Sequence, residues 1–205
     1  MIRILAWLVL AISLSACGAS VPVQATDAAV QAARYSPGPP TEVTLFTVIS
    51  NSTNSGAHSG LLINGSERVL FDPAGTWYHP RLPERNDVHF GITDKVVAFY
   101  IDYHARLTFR VLQQTVPVSP EVADLLIARA KAYGAVPKAQ CSKSITAILS
   151  GVPGFEAIPR SWFPLKLSDA FGALPGVTSR LITDSDDDSN HGVLLVQANG
   201  DPFVE

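Results

Sequence analysis

The sequence contains little cysteine: two residues among 205, far apart in the chain. It has no pair of closely spaced cysteines, no HExxH segment and no glycine-rich phosphate loop. Those motifs indicate structural zinc, zinc-dependent peptidases and nucleotide phosphates, respectively. We therefore expect no metal and no cofactor, so that any chemistry must come from ordinary side chains.

The sequence also lacks an excess of positive charge. It has 15 Lys and Arg residues against 18 Asp and Glu residues, which gives a net charge of −3. Proteins that bind nucleic acid usually carry a basic face. We therefore expect no nucleic-acid partner.

The most acidic stretch is DSDDDSN at residues 184–190. Its alternating carboxylates resemble the start of an EF-hand calcium loop, which needs glycine at its sixth position and glutamate at its twelfth. Ser189 and Leu195 occupy those two positions. The pattern therefore favours a flexible acidic loop over a calcium site.

A long apolar run is absent as well, although the chain begins with a short one. Arg3 precedes an apolar stretch at residues 4–14, which is too short to cross a bilayer and is typical of an export signal. The tetrad LSAC at 14–17 resembles the bacterial lipobox, which implies that residues 1–16 are a signal peptide and that Cys17 is lipidated. The alternative is an ordinary secretory signal with a chance cysteine, and both interpretations predict export. We expect a membrane-anchored lipoprotein on the periplasmic side of a bacterial cell envelope.

The composition then changes along the chain. Residues 17–41 are rich in small, polar and proline residues, which predicts a lipidated N-terminus followed by a flexible tether. Residues 42–180 form the predicted domain, and residues 181–205 are predicted to hold the acidic loop and a C-terminal strand.

Within the domain the hydrophobic pattern alternates between the period of strands and that of helices. We predict strands at 43–50, 58–63, 67–72 and 106–116, helices at 94–103, 119–134 and 141–151, loops at 152–180, and a late strand at 191–197. Asn and Gly in the segment 64–66 predict a tight hairpin, because both residues accept positive φ. The fold class is therefore α+β, with a small antiparallel sheet packed with helices.

Two helix starts carry local capping signals. Ser119 fits the N-cap of a helix, Pro120 fits its first turn and Gly134 fits its C-terminal stop. Asp94 is predicted to cap the helix that follows it.

Cys141 is the second cysteine and lies where an apolar helix is predicted to begin. An unpaired cysteine in an exported protein is a reactive thiol, an intermolecular link or a small buried apolar residue. A helix N-terminus favours the thiolate, which is the nucleophilic form, and Lys143 adds a nearby positive charge. The backbone N–H of Cys141 could also face a developing oxyanion.

A cysteine nucleophile needs a base, and five histidines compete for that role. His58 differs from the others because it opens an apolar strand and shares a strand face with Gly60, which leaves room beside the imidazole. The next strand ends at Asp72, whose carboxylate could orient the imidazole. Glu67 and Asn64 are alternatives that the hairpin turn would carry to the far end.

This order of residues resembles the circularly permuted branch of the NlpC/P60 papain-like superfamily. AHSGLLI precedes QCSKSITAIL by about eighty residues, and the resemblance covers roughly residues 43–165. It implies that Cys141 is the nucleophile, His58 the general base and acid, and Asp72 the orienting third group. Many relatives have asparagine where this chain has Gln140.

Three residues near this pattern are candidates for substrate contact. Trp77 and Tyr78 follow the predicted hairpin, and Gln140 precedes the cysteine directly.

The function that these observations predict is an exported, lipid-anchored cysteine peptidase or amidase that cleaves an amide or ester bond. The resemblance implies a peptidoglycan peptide or a lipid-type acyl substrate, and the envelope location favours the cell-wall peptide. An acyltransferase or lipase of the same fold is an alternative. A non-catalytic envelope lipoprotein that binds wall fragments or a protein partner is another.

Overall fold

The computed structural model describes residues 22–188, which form a mixed structure of helices and strands. The strands are β1 (Glu42–Ser50), β2 (Gly56–Asn64), β3 (Arg68–Phe71), β4 (Glu84–Arg85), β5 (Val88–His89), β6 (Phe109–Pro117) and β7 (Thr178–Ile182). The helices are α1 (Asp27–Ala32), α2 (Asp94–His104), α3 (Pro120–Tyr133), α4 (Cys141–Leu149) and α5 (Pro164–Gly172).

The seven strands form one antiparallel sheet in the order β4-β5-β3-β2-β1-β6-β7. The β2–β3 hairpin pairs Leu61 with Phe71 and Asn64 with Arg68, so the turn lies where the sequence predicts it. The prediction of a mixed fold with an antiparallel sheet is confirmed.

Helices cover both faces of this sheet, because alternate residues of its central strands point to opposite sides. Val43 and Leu45 of β1 belong to a core shared with α3, α4 and α5. Phe46 and Val48 of the same strand belong to a second core shared with α2. The sheet is therefore the middle of three layers.

The capping signals of α3 act as predicted. The Val122 N–H donates to the Ser119 hydroxyl at 3.3 Å, Pro120 occupies the first turn, and Gly134 ends the helix with a φ of 88°.

The predicted cap of α2 is wrong by one residue, because the Val96 N–H donates to Thr93 and Thr93 is the N-cap. Asp94 instead forms an ion pair with Arg68, 2.5 Å apart.

Residues 152–182 contain two elements that the sequence analysis did not predict, α5 and β7. Pro164 begins α5, where its missing N–H costs nothing. The prolines of this region favour loops in a sequence pattern, but a proline at a first turn is compatible with a helix. β7 is mostly exposed and, among the described strands, pairs with β6 alone, so it lacks the apolar alternation of a buried strand.

The segment predicted as a tether contacts the domain from Val23 onward, where the Val23 carbonyl oxygen accepts from the Asn86 N–H at 3.0 Å. Gln24 pairs with Arg85 in an isolated bridge, and Asp27 forms an ion pair with Arg85 at 2.6 Å. Val30 and Ala33 pack against the core on the α3–α5 side. The expectation of a flexible tether did not foresee these contacts.

Several predictions fall outside the described residues. These are the signal peptide, lipidated Cys17, the late strand at 191–197 and most of the acidic C-terminal part. Among residues 22–188, the structure has no helix of sufficient length and apolar character to span a membrane.

Candidate active site

Cys141 is the first residue of α4, and its exposed fraction is 6%. Gln140 precedes it as the N-cap but makes no capping hydrogen bond with its side chain. The N-terminal N–H groups of a helix have no partner within the helix. The sulfur therefore lies at a helix end with free backbone donors, as the sequence predicts.

His58 and Asp72 form a hydrogen-bonded ion pair on the neighbouring hairpin. His58 Nε2 lies 2.7 Å from Asp72 Oδ1. The Asp72 side chain is fully buried, whereas the His58 side chain keeps an exposed fraction of 14%. The carboxylate can therefore hold the ring while one part of the ring still reaches solvent.

The two alternatives to Asp72 lie elsewhere. Glu67 accepts from Lys131 Nζ at 2.5 Å. The Asn64 side chain donates to the carbonyl oxygens of Gly38 and Pro40. Both residues are engaged at the turn end of the hairpin, which leaves Asp72 as the partner of His58.

The thiol of Cys141 is within hydrogen-bonding contact of the His58 side chain. Since Nε2 of His58 faces Asp72, Nδ1 is the ring nitrogen left for the sulfur. The backbone N–H of Ser59 also lowers the pKa of the thiol, and the Ser142 hydroxyl lies 3.9 Å from the sulfur. The structure thus brings together the three side chains to which the sequence analysis assigned catalysis.

The electrostatics of the site favour a thiolate–imidazolium pair. Burial by itself raises the pKa of the Cys141 thiol, but the hydrogen bond and charge of His58 outweigh it and lower that pKa. Burial by itself lowers the pKa of His58, but the adjacent Asp72 carboxylate outweighs it and raises that pKa. Each group therefore stabilises the charged form of the other.

Asp72 remains ionised despite its burial. Burial raises the pKa of the Asp72 carboxyl, but the charge and hydrogen bond of His58 outweigh it and hold that pKa well below its usual range. Oδ1 also accepts a 2.6 Å hydrogen bond from the Tyr100 hydroxyl.

Two glycines leave space for this carboxylate and its donor. A Cβ at Gly60 would overlap the Tyr100 hydroxyl, and a Cβ at Gly75 would overlap Asp72 Oδ2. Glycine is needed at both positions because the carboxylate and its donor pass so close to the backbone.

Tyr100 and His104 are site residues that the sequence analysis did not identify. Both belong to α2, and the His104 ring stacks on the His58 ring with centroids 5.7 Å apart and planes 8° from parallel. His104 Nδ1 lies 2.9 Å from the Tyr100 carbonyl oxygen. Their i,i+4 spacing places them on one helix stripe, which was visible in the sequence but did not indicate which strand that stripe would face.

The residues predicted to contact substrate differ in position. Trp77 has an exposed fraction of 3% and packs edge-on against Tyr100, with ring centroids 5.2 Å apart. Tyr78 is exposed at 47%. The side chain of Gln140 accepts from Lys143 Nζ at 2.9 Å. Substrate contact stays a prediction for all three residues. Trp77 in addition packs against Tyr100, whose hydroxyl donates to Asp72.

The other histidines are placed differently from His58. His79 and His89 are buried at an exposed fraction of 3% each, and their rings pack on Phe99 and Trp77, respectively. Burial lowers the pKa of His89 to about 4, so its ring is neutral at ordinary pH. His191 lies outside the described residues.

Within residues 22–188, two groups of side chains have types and spacing that could hold a metal ion. The potential ligand atoms of His58, Asp72 and His104 lie within 4.8 Å of one another. However, the short hydrogen bond between His58 Nε2 and Asp72 Oδ1 already occupies those two atoms. The arrangement therefore fits a hydrogen-bonded relay better than a coordination sphere.

The second group, Asp102, Asp184 and Asp186, lies beside Arg106. The Arg106 guanidinium is fully buried and forms ion pairs with Asp102 at 3.0 Å and with Asp186 at 3.1 Å. The described part of the acidic stretch thus supplies countercharge to a buried arginine.

Comparison of the chain with protein-family models, with curated proteins and with solved structures gives no match. A function must therefore be inferred from the geometry of the site.

Proposed function

We propose that the protein is a cysteine hydrolase that cleaves an amide or ester bond by nucleophilic attack of Cys141. The observation that carries this proposal is the contact of the thiol with His58, whose other ring nitrogen lies 2.7 Å from Asp72. A nucleophile, a base and a group that orients the base form the general arrangement for acyl transfer.

The reaction would proceed in two halves. The Cys141 thiolate attacks the carbonyl carbon, and a C–S bond forms as the carbonyl electron pair moves to oxygen. When the intermediate collapses, the bond to the leaving nitrogen or oxygen breaks, and the His58 imidazolium gives that atom its proton. Water then attacks the thioester while His58 takes a proton from it. Breakage of the C–S bond releases the acid and restores the thiolate.

The negative charge on the carbonyl oxygen would be stabilised at the start of α4. The Cys141 N–H has no partner within the helix because it belongs to the first turn. A preorganised backbone donor of this kind contributes strongly to acyl transfer. The positive end of the helix dipole points in the same direction.

The order of the elements supports a papain-like fold of the permuted NlpC/P60 type. β2 with His58 precedes α4 with Cys141, and α4 packs against β2. The resemblance carries with it a substrate in the cell envelope, for which a peptidoglycan peptide is the favoured candidate. Export and lipidation at Cys17 would place the enzyme beside that substrate.

The reactivity of the thiol tests the proposal directly. At pH 6 we expect iodoacetamide to label Cys141 at least about tenfold faster than a free thiol, because the lowered pKa of Cys141 provides more thiolate. His58→Ala should remove most of this difference. Mass spectrometry of peptides would separate labelling of Cys141 from labelling of Cys17.

The matched control is His79→Ala, which removes a histidine outside the site and should leave the labelling rate close to that of the wild type.

A second experiment identifies the substrate class. Purified cell wall and phospholipid would each be incubated with the wild type and with Cys141→Ser, and the products compared. If the Cys141 thiol reacts like free cysteine whether or not His58 is present, the proposal is wrong and a binding lipoprotein is the better interpretation.

A further inference from the structure

A cavity lies directly against the His58 imidazole, on the side of the ring that faces α2. Its volume is about 360 Å³. The wall comes from β1, β2, the loop after β3, the end of α2 and the start of β6. The residues that decide its chemistry are His58, Val48, Ala57, Ala74, Thr76 and Phe109.

Apart from imidazoles, the lining of this cavity carries no ionisable group that is charged near neutral pH. None of the residues that line it is Lys, Arg, Asp or Glu. Its other polar groups include the hydroxyls of Thr76 and Tyr103, whose oxygen atoms lie 3.1 Å apart. The His58 imidazolium in this lining is already paired with the Asp72 carboxylate and with the Cys141 thiolate, so it offers no uncompensated positive charge to a further anion. A charged group placed there would therefore lose hydration without an unpaired opposite charge, whereas an apolar group would gain from leaving water.

The position of the cavity relative to the reaction defines which part of the substrate it would hold. His58 must give its proton to the leaving atom, so that atom must come within hydrogen-bonding distance of the imidazole. The group attached to the leaving atom then extends from the ring, whereas the acyl group remains on the sulfur of Cys141. Cys141 is not among the residues that line the cavity.

We propose that this cavity is the leaving-group subsite and that it takes an uncharged, largely apolar alcohol or amine residue. The proposal rests on the function proposed above, since it uses His58 as the general acid. The Thr76 and Tyr103 hydroxyls would hold at most a single polar atom of that residue. A leaving group that carries a carboxylate or a quaternary ammonium would be rejected.

Acetate esters that share the acyl group and differ only in the alcohol test this subsite. The full-length protein would be assayed with benzyl acetate, acetylcholine and the acetate ester of glycolate, with methyl acetate as the small reference. Each kcat/KM is divided by the rate constant of the same ester with 2-mercaptoethanol, which corrects for intrinsic reactivity. We expect the corrected value for benzyl acetate to exceed those of both charged esters by about tenfold or more.

Two variants that fill the cavity from opposite walls give a second readout. Ala57→Trp and Thr76→Trp change side chains exposed at its edge. Each should lower kcat/KM for benzyl acetate about tenfold and change the value for methyl acetate by less than about threefold. Leu181→Trp, on the exposed strand β7, is the control and should change neither value.

The outcomes separate this inference from the function on which it rests. Equal corrected rates for all the alcohols, or equal losses on benzyl and methyl acetate in both variants, would overturn the subsite and leave the hydrolase intact. If Cys141 forms no acetyl thioester with any ester and its alkylation is slow, the proposed hydrolase function is wrong. The proposed leaving-group subsite is then wrong as well. A preference for benzyl acetate that both tryptophan variants abolish would establish the subsite.

Discussion

The lowered pKa of Cys141 comes from its neighbours. The residue is almost fully buried, and burial disfavours a thiolate. Contact with a protonated His58 reverses that effect, and His58 is protonated because Asp72 lies 2.7 Å from its Nε2. The reactivity of one sulfur therefore depends on a carboxylate that does not touch it.

This dependence predicts the effect of two substitutions at the site. Asp72→Asn removes the negative charge that raises the pKa of His58, so the imidazolium is lost at lower pH and the thiolate loses its partner. We expect the midpoint of the pH–rate profile for alkylation of Cys141 to rise by at least about one unit. Mass spectrometry of the labelled peptide across pH 4–10 would measure it.

Tyr100→Phe is the matched control for that substitution. It removes one hydrogen bond to Asp72 Oδ1 and keeps both the carboxylate charge and the ring that packs on Phe46. We expect a midpoint close to that of the wild type and a loss of unfolding free energy of about 1–3 kcal/mol. An unchanged midpoint in Asp72→Asn would mean that the carboxylate has no part in the activation of the thiol.

At the scale of elements, β2 is the strand on which the site depends. It pairs with β1 on one side and β3 on the other, and α4 packs against it. Three consecutive residues of β2 contribute to the site: His58 interacts with the sulfur, the Ser59 backbone N–H lowers the pKa of the thiol, and Gly60 leaves space for the Tyr100 hydroxyl. A strand can do this because successive residues face opposite sides.

Helix α1 provides the prediction at this scale. Val30 is partly buried against the core, whereas its neighbour Gln31 is exposed. Val30→Asp should lower the free energy of unfolding by about 1–3 kcal/mol, because it places a charge where an apolar group was buried. Gln31→Asp introduces the same charge into the same helix and should change it by less than about 0.5 kcal/mol. Urea denaturation would measure both values. Equal, negligible effects would favour the flexible tether that the sequence predicts.

At the scale of the whole molecule, the layers on the two faces of the sheet contribute different parts of the site. α4, on one face, supplies the thiol, and α2, on the other, supplies the hydroxyl that supports Asp72. The buried Arg106 beyond α2 is balanced by Asp102 and by Asp186 of the acidic stretch. The complete site, with Asp72 supported by Tyr100, therefore forms only when both helical layers have packed on the sheet.

The pH dependence of stability is also a property of the whole molecule. Burial lowers the pKa of His89 to about 4 in the folded protein, whereas an unfolded histidine titrates near 6.5. Between these values the unfolded chain binds the extra proton, so stability falls as the pH falls. We expect His89 to account for a loss of up to roughly 3 kcal/mol between about pH 6.5 and 4.

His89→Phe isolates this contribution, because phenylalanine does not titrate and keeps a ring beside Trp77. The loss of unfolding free energy between pH 7 and pH 4 should be smaller in this variant than in the wild type. Chemical denaturation at each pH would measure this loss. An identical loss in the variant and in the wild type would show that His89 is protonated in the folded state over this pH range.

Local signals determined a large part of this protein from the sequence alone. The β2–β3 hairpin lies where Asn and Gly in the segment 64–66 predict it, although neither Asn64 nor Gly65 has a positive φ, and α3 follows from Ser119, Pro120 and Gly134. The candidate pair of Cys141 and His58 was also visible, because each has a local signature at the start of an element. Hydrogen bonds over a few residues set these features, so the residues themselves predict them.

The tertiary structure alone decided which distant groups meet. The support of Asp72 by Tyr100 and the stacking of His104 on His58 each depend on how α2 packs across the sheet. The same holds for the burial of Trp77 and for the contacts of the N-terminal segment. Packing between elements is set by shape and burial over the whole chain, and no short stretch of sequence contains that information.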